Sequence, residues 1–304
     1  MAFDAFALIL AMLALGMVFA RLKLLPGNAS DALNLVVLYI CLPAAVLIYV
    51  PRLRLDPALA GIVATPWLLG LAAVALVAAC NRWLGFRRDE YAVLLLCTVM
   101  GNTSYIGYPM VQALLGEQAL PYAVVYDQLG TFMLLSTFGL YVVARFSGDA
   151  TPGTREVLLR LARFPPAWAL LFAFVAMPEH PPAWIAAMLE RLSDAMLPLV
   201  MLAIGLSIRL RLPRDELKPL AAGLLLKLLV LPTLALGVSL ALGMRGDMLR
   251  ANMLEAAMPP MVSAAALAAV HGLAPRLSAA LVGYGILLSL ATLPAWAWLL
   301  AHVA

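Results

Sequence analysis

Asp127, Lys227 and Glu255 are ionisable residues set deep inside long apolar stretches. A charge near the centre of a bilayer costs at least ~2.5–3.5 kcal/mol on insertion scales, so such residues mark ion paths, proton relays or paired structural charges. An Asp127–Lys227 or a Glu255–Lys227 pair would offset part of that cost, and Asp127 or Glu255 is the expected carrier of a coupling proton. Two polar interruptions lie in the same apolar background: GNTSYIGYPMVQ from Gly101, and EAAMPPMVSA from Glu255. In the first, the Asn102 amide has a donor for a carboxylate oxygen and an acceptor for a backbone N–H. It therefore either contacts substrate or caps a half-helix. Thr103 and Ser104 either donate to the same ligand or bond back to their own helix. Tyr126 stands beside Asp127, and Ser263 follows the second interruption by one turn. Gly107, Pro109, Pro259 and Pro260 are expected to shape the site rather than bind. No histidine spacing suits a metal, Cys41, Cys80 and Cys97 all sit in apolar runs, and no disulfide framework is visible. No nucleophile–base pair, Asp-rich motif or metal ligand set falls on the apolar segments, so an enzyme is not expected, nor any cofactor beyond a coupling proton or sodium ion.

The elements that must hold these residues follow from composition. Of 304 residues 65% are hydrophobic and 12% charged, more apolar surface than a soluble domain can hide, which makes this a polytopic membrane protein. The first apolar segment ends in Arg21 and Lys23 without a basic start or a small-residue cleavage site, and reads as a retained helix. A span needs about 20 apolar residues, and ten segments qualify: 3–20, 32–50, 58–80, 91–114, 121–145, 164–178, 184–208, 216–242, 249–271 and 277–301. The sixth is short. With ten spans and both termini outside, Lys and Arg divide 14 to 4 in favour of the inner loops. Deleting the sixth span reduces the division to 11 against 7.

Features recur at about half the chain length. Leu42-Pro43 followed by Arg52-Leu53-Arg54-Leu55 echoes Leu197-Pro198 followed by Arg209-Leu210-Arg211-Leu212, and Pro109 echoes Pro259 and Pro260. The reading is two five-span halves, residues 1–145 and 164–304, joined by a cytoplasmic linker, 146–163. Five is odd, so the second half enters the membrane inverted, a plan common in secondary transporters. Spans four and nine are each interrupted at mid-depth. Proline removes a donor there, and freed backbone groups need protein or a wet cavity. Two breaks meeting would place two half-helix N-termini in one polar site, which favours an anion.

At these residues the chain resembles the auxin efflux carriers, the bacterial carriers of that name together with the plant PIN-type transporters. Asn102-Thr103 with Gly107 and Pro109 is similar to the family's first crossover, and Ala256-Ala257-Met258-Pro259 with Val262 to its second. Asn34 and Pro43, Leu192-Ser193-Asp194-Ala195 with Gly205-Leu206, and Gly243-Met244-Arg245-Gly246 match patterns elsewhere along the chain. The resemblance implies movement of small carboxylates, auxin-like or malonate-like, and a homodimer in the cell membrane. It also implies a scaffold of helices 1, 2, 6 and 7 and a transport domain of helices 3–5 and 8–10. An elevator-like movement of that domain would expose the helix 4/9 crossover to each side in turn. The long central loop of many plant members is missing, and Ser263 stands where many bacterial relatives carry Asn. A sodium-coupled symporter of the bile-acid type shares the ten-helix plan and is the main alternative; a passive channel is a further one.

Overall fold

The computed structural model describes residues 2–53, 59–148, 155, 159, 162, 164–207 and 214–303. Regular structure among them is helical, apart from one isolated β-bridge between Gly101 and Pro260. Thirteen helices are defined here in chain order. They are α1 (Ala2–Leu22), α2 (Ala29–Arg52), α3 (Leu59–Leu84), α4 (Arg88–Val99), α5 (Tyr108–Leu115) and α6 (Glu117–Ser147). After these come α7 (Pro165–Val175), α8 (Ala183–Asp194), α9 (Met196–Ser207), α10 (Leu217–Ala241), α11 (Gly246–Ala256), α12 (Val262–Val270) and α13 (Pro275–Val303).

Helices α2, α3, α6, α10 and α13 are long and apolar enough to cross a bilayer, and Ala7–Leu22 and Pro165–Val175 are shorter apolar helices. That is the pattern of a polytopic membrane protein. At ~1.5 Å per residue, the 11 residues of α7 reach only about half the hydrocarbon core. The seventh expected span, 184–208, is not one continuous helix: it divides into α8 and α9 at Ala195, three residues before Pro198. Pro198 has no N–H to donate to the carbonyl of Asp194, four residues earlier, so the helix restarts there more easily than it continues. Of the arginines that set the expected topology, Arg54, Arg160, Arg163, Arg209 and Arg211 lie outside the described residues, as does most of the 146–163 linker.

Two packing groups are visible. In the first, α1 lies along α9 with Gly16 against Gly205; a Cβ on Gly205 would come 2.4 Å from the Leu13 carbonyl oxygen. Helix α2 packs on α7, α8 and α9, and Ser30 Oγ donates to the Ala203 carbonyl at 2.9 Å. In the second, α3 packs on α4, α6 and α10, with Gly130 of α6 directly under Pro66 of α3. Asn252 of α11 ties this group across its width, its Nδ2 donating to Thr65 Oγ1 (3.1 Å) and Ser239 Oγ (2.8 Å). Helix α13 closes it against α10 and α12, with Trp296 Nε1 donating to the Leu228 carbonyl at 3.1 Å.

Charged residues gather at the two ends of the helices. At one end Arg87 bonds the buried Glu216 at 3.1 Å, and Arg88 donates to the Arg145 carbonyl at 3.0 Å. At the other, Arg52 pairs with Glu190 at 3.2 Å. Burial pushes the Glu216 carboxyl above its ordinary range, while the Arg87 hydrogen bond and charge pull it back.

Two outcomes follow from this packing. Gly205→Ala should lower stability by ~1–3 kcal/mol through overpacking of a backbone contact, whereas Gly237→Ala, whose Cβ would meet nothing, should not; thermal unfolding in detergent compares them. Arg87→Ala should cost ~1–3 kcal/mol at neutral pH by leaving the buried Glu216 charge without its partner. That cost should shrink as pH falls through the raised Glu216 range, because protonation removes the uncompensated charge. Denaturation midpoints of the variant and the parent across pH check the sign.

Candidate functional site

Helix α4 ends at Val99 and is followed by the extended Met100; α11 ends at Ala256 and is followed by a turn at Ala257, with Met261 extended before α12 starts. The two breaks pair with each other. The Asn102 N–H donates to the Pro259 carbonyl at 2.8 Å, and the Met261 N–H donates to the Met100 carbonyl at 3.1 Å. Each break thus supplies partners for groups that the other leaves without an intrahelical bond. Pro260, which has no N–H, sits between these two bonds opposite Gly101. It rests on Gly285 of α13, where a Cβ would lie 2.6 Å from its Cδ. Pro109 is the second residue of α5, directly after the π-helical turn Thr103–Gly107.

After the first break the chain makes a π-helical turn, Thr103–Gly107, before α5. The Asn102 backbone carbonyl accepts from the Ile106 and Gly107 N–H groups at 3.3 and 3.0 Å. The backbone does this capping; the Asn102 side chain makes no cap bond, and its Nδ2 is buried without a partner. Thr103 and Ser104 turn neither to their own helix nor solely to the cleft. Their hydroxyls donate to Asp127 Oδ1 at 2.5 and 3.2 Å. Asp127 Oδ2 accepts from Tyr108 at 2.9 Å and from the Gln128 amide at 2.8 Å. Asp127 opens a π-turn of α6, Asp127–Thr131, a widened turn of the kind frequent at functional positions. Four neutral donors therefore surround one buried carboxylate, and three of them, Thr103, Ser104 and Tyr108, fix the segment after the first break to α6.

The other two ionisable residues are arranged differently. Both Glu255 oxygens are buried and hydrogen-bonded to nothing. They lie on Gly107, where a Cβ would be 2.5 Å from Oε2. Only glycine leaves room there for the carboxylate. Lys227, in the π-turn Leu226–Val230 of α10, brings its ammonium over Gly101, where a Cβ would be 3.1 Å from Nζ. The expected ion pairs do not form: Asp127 is held by neutral donors, and Glu255 accepts no bond from Lys227. The two side chains rest on different glycines, Lys227 on Gly101 in the break and Glu255 on Gly107 at the end of the π-turn.

A cleft of about 510 Å³ lies beside the paired breaks. Ser104, on the first turn after one break, and Ser263, on the first turn after the other, both line it. Tyr105 and Met261 join them, with Leu42 of α2 and Phe132 of α6 opposite. The first turns of the two helices have N–H groups without i−4 acceptors. Tyr126 is elsewhere: it is buried in an apolar cluster with Met253 and Leu249, away from the cleft. Sequence reasoning missed Tyr108. Its one signal is chemical: a buried carboxylate demands donors, and the tyrosine lies five residues beyond Thr103 in a segment already known to turn.

A helical membrane protein with two breaks joined at their backbones and a cleft beside them is built as a transporter is built. The chain belongs to the Membrane transport protein family, whose pattern it matches over residues 1–148 and 152–297. It is 29% identical over 293 residues to an uncharacterized transporter of Methanothermobacter thermautotrophicus, covering 95% of both chains. It is also 23% identical over 309 residues to an uncharacterized transporter of Methanocaldococcus jannaschii, covering 98% of this chain and 99% of that one.

The Asp127 cluster has a measurable consequence. Tyr108→Phe should lower stability by ~1.5–3 kcal/mol, the usual loss for a hydrogen bond to a charged group. Thermal unfolding of purified protein checks it.

Proposed function

We propose that the protein is a secondary transporter of small organic anions, with the substrate carboxylate held between Ser263 and Ser104, whose hydroxyl turns from its 3.2 Å bond with Asp127 to donate to the substrate. The observation that carries this reading is that those two hydroxyls, one from the first turn after each break, line the same cleft. Two helix N-termini favour an anion there by ~0.3–1 kcal/mol each, and by up to ~2 when partly buried. Among the described residues lining the cleft none is charged. A second carboxylate on the substrate would stay unpaired in an apolar space, so the lining favours a monocarboxylate with an apolar body over a malonate-like dicarboxylate. The unbonded Asn102 Nδ2 sits at the break itself and is a further donor, reachable after a small rotation of the side chain.

The ten-helix reading supplies the mechanism. Spans four and nine, formed by α4 with α5 and by α11 with α12, are the crossover helices of two inverted five-span halves. Helices α1, α2 and α7–α9 are the static scaffold, through which two copies associate in the cell membrane. Helices α3–α6 and α10–α13 move as one transport domain, and both termini lie outside. Asp127 is an organiser of the first break, its acceptor capacity filled by four donors. Glu255 is the coupling group: a carboxyl with no partner can take up and release a proton without dismantling a network.

Uptake into proteoliposomes, with apolar monocarboxylates and dicarboxylates compared across pH and with and without sodium, tests both parts. Saturable uptake of monocarboxylates is expected, with a pH dependence that Glu255→Gln abolishes. Uptake of no carboxylate by folded protein would overturn the anion reading, and strict sodium dependence would favour the bile-acid type of symport. An unchanged pH profile in Glu255→Gln would remove Glu255 from the coupling role.

A further inference from the structure

The two packing groups are joined by polar side chains at one end of the molecule. Gln112 of α5 donates from Nε2 to Asp194 Oδ1 at the end of α8, at 3.3 Å. Arg52, at the end of α2, approaches Glu117, the first residue of α6, at 3.9 Å. Arg52 is aimed by its own group. Glu190 of α8 bonds it at 3.2 Å, and the Tyr49 ring lies 5.7 Å below the guanidinium. What remains of the guanidinium faces Glu117, across the boundary between the groups.

The cleft opens toward the opposite end. Its wall includes Leu159, Phe164 and Pro165, which follow Arg145 in the chain. Arg145 belongs to the Arg87 end, because Arg88 donates to its carbonyl. Helix α7 starts beside the cleft and packs along α2 toward Val50–Arg52. On that open flank the two groups meet through rings, Phe132 stacked on Phe164 at 3.6 Å between centroids. Among the described residues, the ion pairs at the Arg87 end, Arg87–Glu216 among them, stay within a single group.

We propose that Arg52, Glu117, Gln112 and Asp194 form a polar clasp. It holds the second group against the first at the Arg52 end, and so favours the state whose cleft opens toward the Arg87 end. The inference rests on the reading that the two groups move relative to each other. A shift of several ångströms of α5 and the start of α6 carries Gln112 and Glu117 out of reach, while the Arg52–Glu190 pair stays with α2 and α8. The clasp is therefore made in one state and absent from the other, which is the condition for a contact to bias a two-state equilibrium. Arg52 and Glu117 are 36% and 57% exposed. The bias is accordingly modest, about two- to fivefold per contact, as for exposed pairs in general.

The test uses the full chain with its native cysteines replaced and Ser263→Cys as a reporter, labelled in sided vesicles by a membrane-impermeant maleimide. The ratio of labelling rates from the two faces reads the state. Arg52→Ala and Glu117→Gln are each expected to raise labelling from the Arg52 face about two- to fivefold relative to the other face. The double variant should do little more than either alone, because both remove one interaction. Arg52→Lys should keep the parental ratio, and raising salt should shift the parent but not Arg52→Ala. If the parent is labelled from both faces and the ratio is the same in Arg52→Ala and Glu117→Gln, the clasp is refuted and alternating access stands. If the thiol is labelled from one face alone in every variant, the movement is absent and the clasp falls with it.

Discussion

Two backbone hydrogen bonds, Asn102 N–H to the Pro259 carbonyl and Met261 N–H to the Met100 carbonyl, make the rest of the site possible. A helix broken within apolar surroundings exposes donors and acceptors, each costing several kcal/mol if left unpaired. A single broken helix would have to recruit side chains or water for all of them. Here each break is the other's remedy, and proline is tolerated because the paired geometry never asks Pro260 to donate. Once the breaks are tied, two helix starts lie side by side, and Ser104 and Ser263 reach the same cleft without further construction.

The constraint also sorts the buried charges. Buried side chains need room against the chain, and glycine leaves it at Gly101, in the first break, and at Gly107, the last residue of the π-turn that follows. Lys227 uses the space over the former and Glu255 the space over the latter. They rest on different residues, one in the break and one at the end of the turn after it. Asp127 takes four donors, three of which tie the segment after the break to α6. One carboxylate is built in and one is left without a hydrogen bond, and the proposed division between a structural and a coupling role rests on that difference.

Much of this was legible in the sequence. Gly, Asn and Pro clustered within an apolar run announce a break, and the Pro259-Pro260 pair half a chain later announces its partner. Hydropathy located the long helices, and ordered motifs pointed to a family of membrane transport proteins, to which the chain belongs. The division of the seventh span at Ala195 was signalled only by Pro198. The rotation of helices was not legible. Whether Asp127 meets Lys227 or a ring of hydroxyls depends on which way α6 turns, and its π-turn shifts that register beyond what periodicity reads. Tyr126 and Tyr108 illustrate the consequence. The tyrosine beside Asp127 in sequence points into an apolar cluster, and the one nineteen residues away makes the bond.

The decisive location is the space between the first turns that follow the two breaks. An experimental structure of the protein with a transported monocarboxylate measures that location directly. Carboxylate density within hydrogen-bond distance of both Ser104 and Ser263 is the predicted result. Density elsewhere, such as the cleft beside Lys23 and Asp31 between α1 and α2, with the Ser104–Ser263 space unfilled, would contradict it.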